Sequence, residues 1–180
     1  MRVIRAAGLP VSRWPNGAGR KADLALGDGW LCGFAWLDAD APFSDLGGFD
    51  RTITLVDGPG FTLELAGQPD LVVYRPFHPS RFDGGVATQC RTRGPSRVLN
   101  VMTARDRFRH TITVAAGPVQ LDRAAGLAVS LCVLLRGEAT ATDSDGSFTL
   151  AALDAIAVEG LTELAGDAAA LFASITVAPV

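Results

Sequence analysis

The constraint that most limits this chain is a period-two alternation that recurs in short segments, each closed by a turn sequence. Thr52-Ile53-Thr54-Leu55, Phe61-Thr62-Leu63-Glu64-Leu65, Thr111-Ile112-Thr113-Val114 and Ala139-Thr140-Ala141-Thr142 each set apolar or small side chains on one face. That is the pattern of a half-buried antiparallel strand. Between such segments stand Asp57-Gly58-Pro59-Gly60, Ala66-Gly67-Gln68-Pro69-Asp70, Asp83-Gly84-Gly85 and Asp143-Ser144-Asp145-Gly146, which carry the Gly, Pro and Asp that tight turns need. An all-β chain follows. The Ala-rich stretch from Ala165 to Ala173 is compatible with a helix, while Ile175-Thr176-Val177 reads as a closing strand.

The pattern repeats. Leu55-Val56-Asp57-Gly58 is echoed 79 residues later by Leu134-Leu135-Arg136-Gly137, and Gly84 by Gly160 at an offset of 76. Two copies of one small β unit in tandem, as Greek-key or jelly-roll halves, account for both offsets, and closure into barrels removes exposed strand edges. With 180 residues, 48% of them hydrophobic, the chain has enough apolar material for one well-buried module of two halves, 1–110 and 111–180.

Charge is divided unevenly between those halves. Residues 1–110 carry 14 Lys and Arg against 11 Asp and Glu, and residues 111–180 carry 2 against 8. All the basic residues but Lys21 are arginine, the side chain suited to planar anions, so a small anionic metabolite is the expected partner. Arg105, Arg107 and Arg109 have strand spacing and are expected on one solvated face; without interleaved aromatic residues and with a net charge of −3, nucleic acid is not an expected partner. No apolar run has the length of a signal peptide or a membrane span, and a cytoplasmic location without membrane contact is expected. Cys32, Cys90 and Cys132 are odd in number and sit among apolar neighbours, as buried reduced thiols do.

His78 and His110 are far apart and form no metal-binding pair; no metal and no cofactor are expected. His78 reads as a loop imidazole and His110 as the end of a strand. No nucleophile elbow, phosphate loop or dinucleotide fingerprint is present. Lys21, beside Arg20 and Asp23, reads as a solvated or paired group. What remains is a set of separated stations: Trp14-Pro15-Asn16-Gly17, where a large aromatic adjoins an Asn-Gly turn; Arg51, whose guanidinium suits a ligand carboxylate or an internal pair with Asp50, Asp23 or Asp57; and Asn100.

Taken in order, Trp14-Pro15-Asn16-Gly17-Ala18-Gly19, Pro42-Phe43-Ser44, Gly48-Phe49-Asp50-Arg51, Phe82-Asp83-Gly84, Gly94-Pro95 and Asn100-Val101-Met102-Thr103-Ala104-Arg105 resemble the HutD/Ves family over residues 10–110. The resemblance implies a cupin-type double β-barrel, a bicupin, without the usual cupin metal ligands and associated with histidine utilisation. It implies a binding or regulatory protein for a small carboxylate such as N-formylglutamate or urocanate. Trp14, Asn16 and Gly17 would form the pocket loop, Arg51 the anion contact, Phe82 an apolar wall, and Asn100, Met102 and Arg105 a lining strand. Ala18, Lys21, Asp23, Gly33, Gly85 and Val98 depart from the family's usual residues; at Gly85 and Val98 a carboxylate is replaced. Two other functions fit the residues: a metal-free isomerase or hydrolase using Asp50, Asp83 or His78 as acid and base, and an interaction module that docks a partner or forms a homodimer.

Overall fold

A computed structural model describes residues 1–14 and 19–180. The strands are β1 (Arg2–Ile4), β2 (Ser12–Arg13), β3 (Arg20–Gly27), β4 (Trp30–Leu37), β5 (Ala41–Pro42), β6 (Phe49–Asp57), β7 (Phe61–Leu65), β8 (Leu71–Val73), β9 (Pro79–Asp83) and β10 (Thr88–Thr92). There follow β11 (Ser96–Ala104), β12 (Phe108–Ala116), β13 (Val119–Leu121), β14 (Val129–Arg136), β15 (Ala139–Asp143), β16 (Gly146–Leu150), β17 (Ala155–Ala157), β18 (Thr162–Gly166) and β19 (Leu171–Pro179). Among the described residues the only helical element is the 3-10 turn Ala6–Gly8, and no helix is long and apolar enough to cross a membrane.

The chain divides into two units, one formed by Pro10–Arg109 with Val180, the other by Met1–Leu9 with His110–Pro179. In the first unit a six-stranded sheet, β2-β3-β4-β11-β6-β9, is accompanied by a four-stranded sheet, β5-β10-β7-β8. Apolar side chains of both sheets, among them Ile53, Leu55 and Val98 from one and Phe61, Leu63 and Cys90 from the other, form one buried cluster. In the second unit the sheets are β1-β17-β14-β19-β12 and β13-β18-β15-β16. Its core joins Cys132, Leu134, Ile156 and Phe172 to Ala139, Ala141, Leu150 and Leu164.

The tandem repeat is visible in this topology. The order β5-β10-β7-β8 recurs as β13-β18-β15-β16, and β4-β11-β6-β9 recurs as β12-β19-β14-β17. All sheets are antiparallel in the pairings found, and none closes into a barrel among the described residues.

Several local expectations are corrected by the structure. Residues 165–173 form no helix: β18 ends at Gly166, a turn follows, and β19 begins at Leu171, because Ala169 and Ala170 take a turn tied to the Asp167 side chain and carbonyl. The segment 52–55 is buried on both faces, since β6 is an interior strand of its sheet. Arg105 and Arg107 lie in the turn between β11 and β12, so they share no strand face with Arg109. His110 is buried within β12 and does not end it. All three cysteines are free and buried, and burial pushes their thiols up to about 12.

Candidate functional site

The six-stranded sheet of the first unit sorts its residues by parity. Register pairs Met102 with both Leu31 and Arg51, Asn100 with Gly33 and Ile53, and Val98 with Ala35 and Leu55. One face of β4, β11 and β6 therefore carries an apolar end at Leu55 and Val98 and a polar end at Arg51 and Asn100. At that polar end lies a cavity of ≈ 440 Å³, lined by Arg51, Asn100, Met102 and Trp14 together with Lys21, Leu31, Gly33, Ala35, Leu46 and others.

Arg51 dominates this cavity electrically. Its residue is 3% exposed, and its guanidinium carbon stands 4.9 Å from the ring centre of Phe43 and 5.0 Å from that of Phe82. Phe82 is its register partner on β9. Among the described residues no carboxylate pairs with Arg51, and its buried Nε has no hydrogen-bond partner. Burial lowers the guanidinium to about 10, which leaves it cationic at neutral pH. Buried charges are ordinarily paired, so an unpaired guanidinium opening onto a cavity is prepared for an anion. The expected internal pairs with Asp50, Asp23 or Asp57 do not form: Asp50 bonds Arg81 and Arg105, and Asp23 bonds Lys21.

Two further cavity residues carry unmet polar atoms. Trp14 Nε1 and Asn100 Oδ1 are buried without a partner among the described residues. Trp14 packs edge-on against Phe43 at 5.9 Å, and Phe43 lies 6.3 Å from Phe82, so the two rings beside the guanidinium are joined to Trp14 in one aromatic row.

Trp14, Arg51, Asn100 and Met102 are thus brought together, while Phe82, expected as a wall, lies beside the Arg51 guanidinium and is not a lining residue. Arg105 is not among the lining residues. It is half exposed and bonds Asp50 at 2.9 Å and Asp83 at 3.0 Å, since it lies beyond the end of β11 in the turn. Asn16 and Gly17 lie outside the described residues. Asp50 and Asp83 are register partners tied to Arg105. Burial pushes the Asp50 carboxyl up, but hydrogen bonds from Arg81 and Arg105 outweigh it and hold it below the usual range. The Gly85 N–H and then Arg105 do the same for Asp83. His78 is exposed with Nδ1 3.0 Å from the Pro76 carbonyl. None of these three lines the cavity. Val98 is fully buried in the core opposite the lining residue Ala35, and Gly85 is in the turn after β9; neither is itself a lining residue, whereas Lys21 and Gly33, two other departures from the family's residues, are. Among the described residues no cluster of three or more His, Cys, Asp and Glu is placed to hold a metal ion.

The sequence reading missed Lys21, Leu31, Ala35 and Leu46 as lining residues. A signal existed for two of them: Trp30 to Leu37 is a nearly continuous apolar run, the mark of an interior strand, whose alternate residues Leu31 and Ala35 face the cavity.

Comparison with known proteins places this geometry in context. A family model described as HutD matches residues 6–172. A protein of Pseudomonas putida described as an uncharacterized 21.2 kDa protein in the hutC 3′ region is 26% identical over 174 residues, 92% of this chain and 90% of that protein. The structure of HutD from Pseudomonas fluorescens SBW25 superposes with a TM-score of 0.82 at 21% identity, covering 99% of this chain and 98% of the other. A Cupin 2 conserved barrel domain protein from Leptotrichia buccalis superposes with a TM-score of 0.66 at 9% identity over 99% and 96% of the two chains, so the fold is cupin-like.

Proposed function

The chain belongs to the HutD family, and on that premise we propose that it is a metal-free binding protein that holds a small carboxylate metabolite in the Arg51 cavity. The observation that carries the proposal is the buried Arg51 guanidinium, set against the rings of Phe43 and Phe82 without an anionic partner among the described residues. The planar fork of a guanidinium can meet a carboxylate through paired hydrogen bonds. Asn100 and Trp14 supply an acceptor and a donor for the remaining polar groups, and Leu31, Leu46 and Met102 bury the apolar body. N-formylglutamate and urocanate are the candidate ligands, and a sensing role in histidine utilisation is the proposed context.

The repeated strand order of the two units supports reading them as the halves of a bicupin. A cytoplasmic location and pairing of two copies belong to the same proposal; the exposed Val72 and Tyr74, in and beside the edge strand β8, offer apolar area for pairing.

Thermal unfolding with N-formylglutamate, urocanate and glutamate tests the reading, on the wild type and on Arg51→Ala. A ligand at 100 times its dissociation constant adds about 2.7 kcal/mol, a rise in Tm of roughly 5 to 10 °C for a chain of this size. The rise is expected to vanish in Arg51→Ala. Absence of any shift with all three acids would overturn the proposal.

A further inference from the structure

A second cation lines the cavity and carries its own carboxylate partner. Lys21, the sole lysine of the chain, lines it from β3 and donates through Nζ to both oxygens of Asp23, at 3.0 and 2.7 Å. Register sets Lys21 opposite Ala35 and Asp23 opposite Gly33, both partners being wall residues of the cavity. The two side chains retain 32% and 24% exposure, so the pair is half-buried, and Asp23, while not itself a lining residue, lies against the ammonium of one.

The charges sum simply. Arg51 brings one unpaired positive charge, and Lys21 and Asp23 cancel. A single carboxylate therefore neutralises the cavity. A second carboxylate brought to the pair would meet the Asp23 anion as well as the Lys21 cation, and would give up its hydration for little net attraction. An uncharged group that both donates and accepts meets no such opposition: it can accept from a free Nζ hydrogen and donate to a carboxylate oxygen.

We infer that Asp23 makes the site selective for a monoanion whose far end is an uncharged donor-acceptor group, such as a carboxamide or an imidazole, and sets it against dicarboxylates. The inference rests on the reading of Arg51 as the carboxylate contact and adds a residue that determines which carboxylates are taken. It ranks the monoanionic urocanate above the dianionic N-formylglutamate.

Calorimetric titration with isosteric probe pairs tests it. Glutarate and its monoamide glutaramate form a short pair, and 4-carboxycinnamate and 4-carbamoylcinnamate a long one; within each pair only the charge of the far group changes. Wild-type protein is expected to prefer the amide of the pair that fits. Asp23→Asn leaves Lys21 uncompensated and is expected to move the amide-to-acid affinity ratio about tenfold toward the dicarboxylate. Lys21→Gln leaves Asp23 uncompensated and is expected to move it the opposite way. A ratio unchanged in both variants overturns the inference. Where Arg51→Ala still abolishes binding of both members, the carboxylate site stands and only the role of Asp23 falls. Where no probe of either pair binds wild-type protein at millimolar concentration, both readings fall together.

Discussion

Phe77 and Leu153 adopt the same uncommon backbone conformation 76 residues apart, with φ of 65° and 71°. Each donates its N–H to a strand carbonyl that is itself repeated: Phe77 to Leu55 on β6 at 2.8 Å, and Leu153 to Leu134 on β14 at 2.6 Å. A left-handed residue without glycine is costly, so its recurrence at matching positions marks a corner that both units use to lead into β9 and β17.

The corner predicts an effect of side-chain branching. Leu153→Ile conserves volume but places a branched Cβ in the left-handed region, and is expected to destabilise by about 1 to 2 kcal/mol. Leu161→Ile, at an exposed position without positive φ, is the control and is expected to be near neutral. Equal urea midpoints for the two variants would show that the corner stores no strain.

The turn after β6 predicts a difference between glycines. Gly58 and Gly126 share positive φ, at 93° and 84°, yet a Cβ on Gly58 would stand 2.4 Å from the Pro95 carbonyl oxygen, whereas one on Gly126 meets nothing within 4 Å. Gly126→Ala is expected to cost about 1 kcal/mol, from conformation alone. Gly58→Ala adds a backbone collision and is expected to cost at least about 1 kcal/mol more. Denaturant unfolding of the two variants side by side measures the difference, and an equal cost would refute the close approach.

Asp154 predicts a pH dependence. Burial pushes its carboxyl up, but the Ala6 N–H, the Arg5 guanidinium at 2.7 Å and the Ala151 N–H hold it below its usual value. A carboxylate depressed in the folded state stabilises fully above its unfolded pKa, and loses that contribution as pH falls through the folded one. Asp154→Asn is therefore expected to be less stable than wild type by a constant amount above about pH 5, of order 1 to 3 kcal/mol, with the gap closing below about pH 4. A gap that is flat down to pH 3 in urea titrations would argue against the carboxylate as its source.

Arg51 predicts a conflict between stability and binding. Replacing an unpaired buried cation by an unbranched apolar side chain removes its desolvation cost, so Arg51→Met is expected to unfold at higher urea than wild type without ligand, by about 1 kcal/mol or more. The same variant is expected to lose the ligand-dependent rise in Tm. A loss of stability in the unliganded variant would show that the cation–π contacts with Phe43 and Phe82 outweigh desolvation.

Much of the fold is legible in the residues. The segments 61–65 and 139–142 fall in strands with the expected alternation, the turn sequences fall between strands, and the Leu55 and Leu134 echo corresponds to matching strands β6 and β14. Local signals suffice there because a turn residue acts on its own backbone and alternation acts within one strand. The run from Ala165 to Ala173 misleads for the complementary reason: alanine favours a helix in isolation, but Leu164, Ala170 and Phe172 are drawn into the second unit's core.

The sequence by itself determined that this chain is all-β, that its strands come in two copies, and that arginine near Asn100 and Trp14 is the feature to which an anion would answer. Tertiary structure decided that Arg51, already singled out, takes no internal carboxylate partner among the described residues. Asp50 and Arg51 are neighbours on β6 and so face opposite ways; Asp50 meets Arg81 and Arg105 in exposed ion pairs, while Arg51 turns toward the cavity and the rings of Phe43 and Phe82. Strand pairing also decided that Lys21, from a strand not evident in the alternation, shares the cavity lining with Asn100 and brings its partner Asp23 opposite the lining residue Gly33. Whether a charge is solvated or buried depends on which strands lie beside it and in what register, and register is fixed by contacts between residues far apart in the chain.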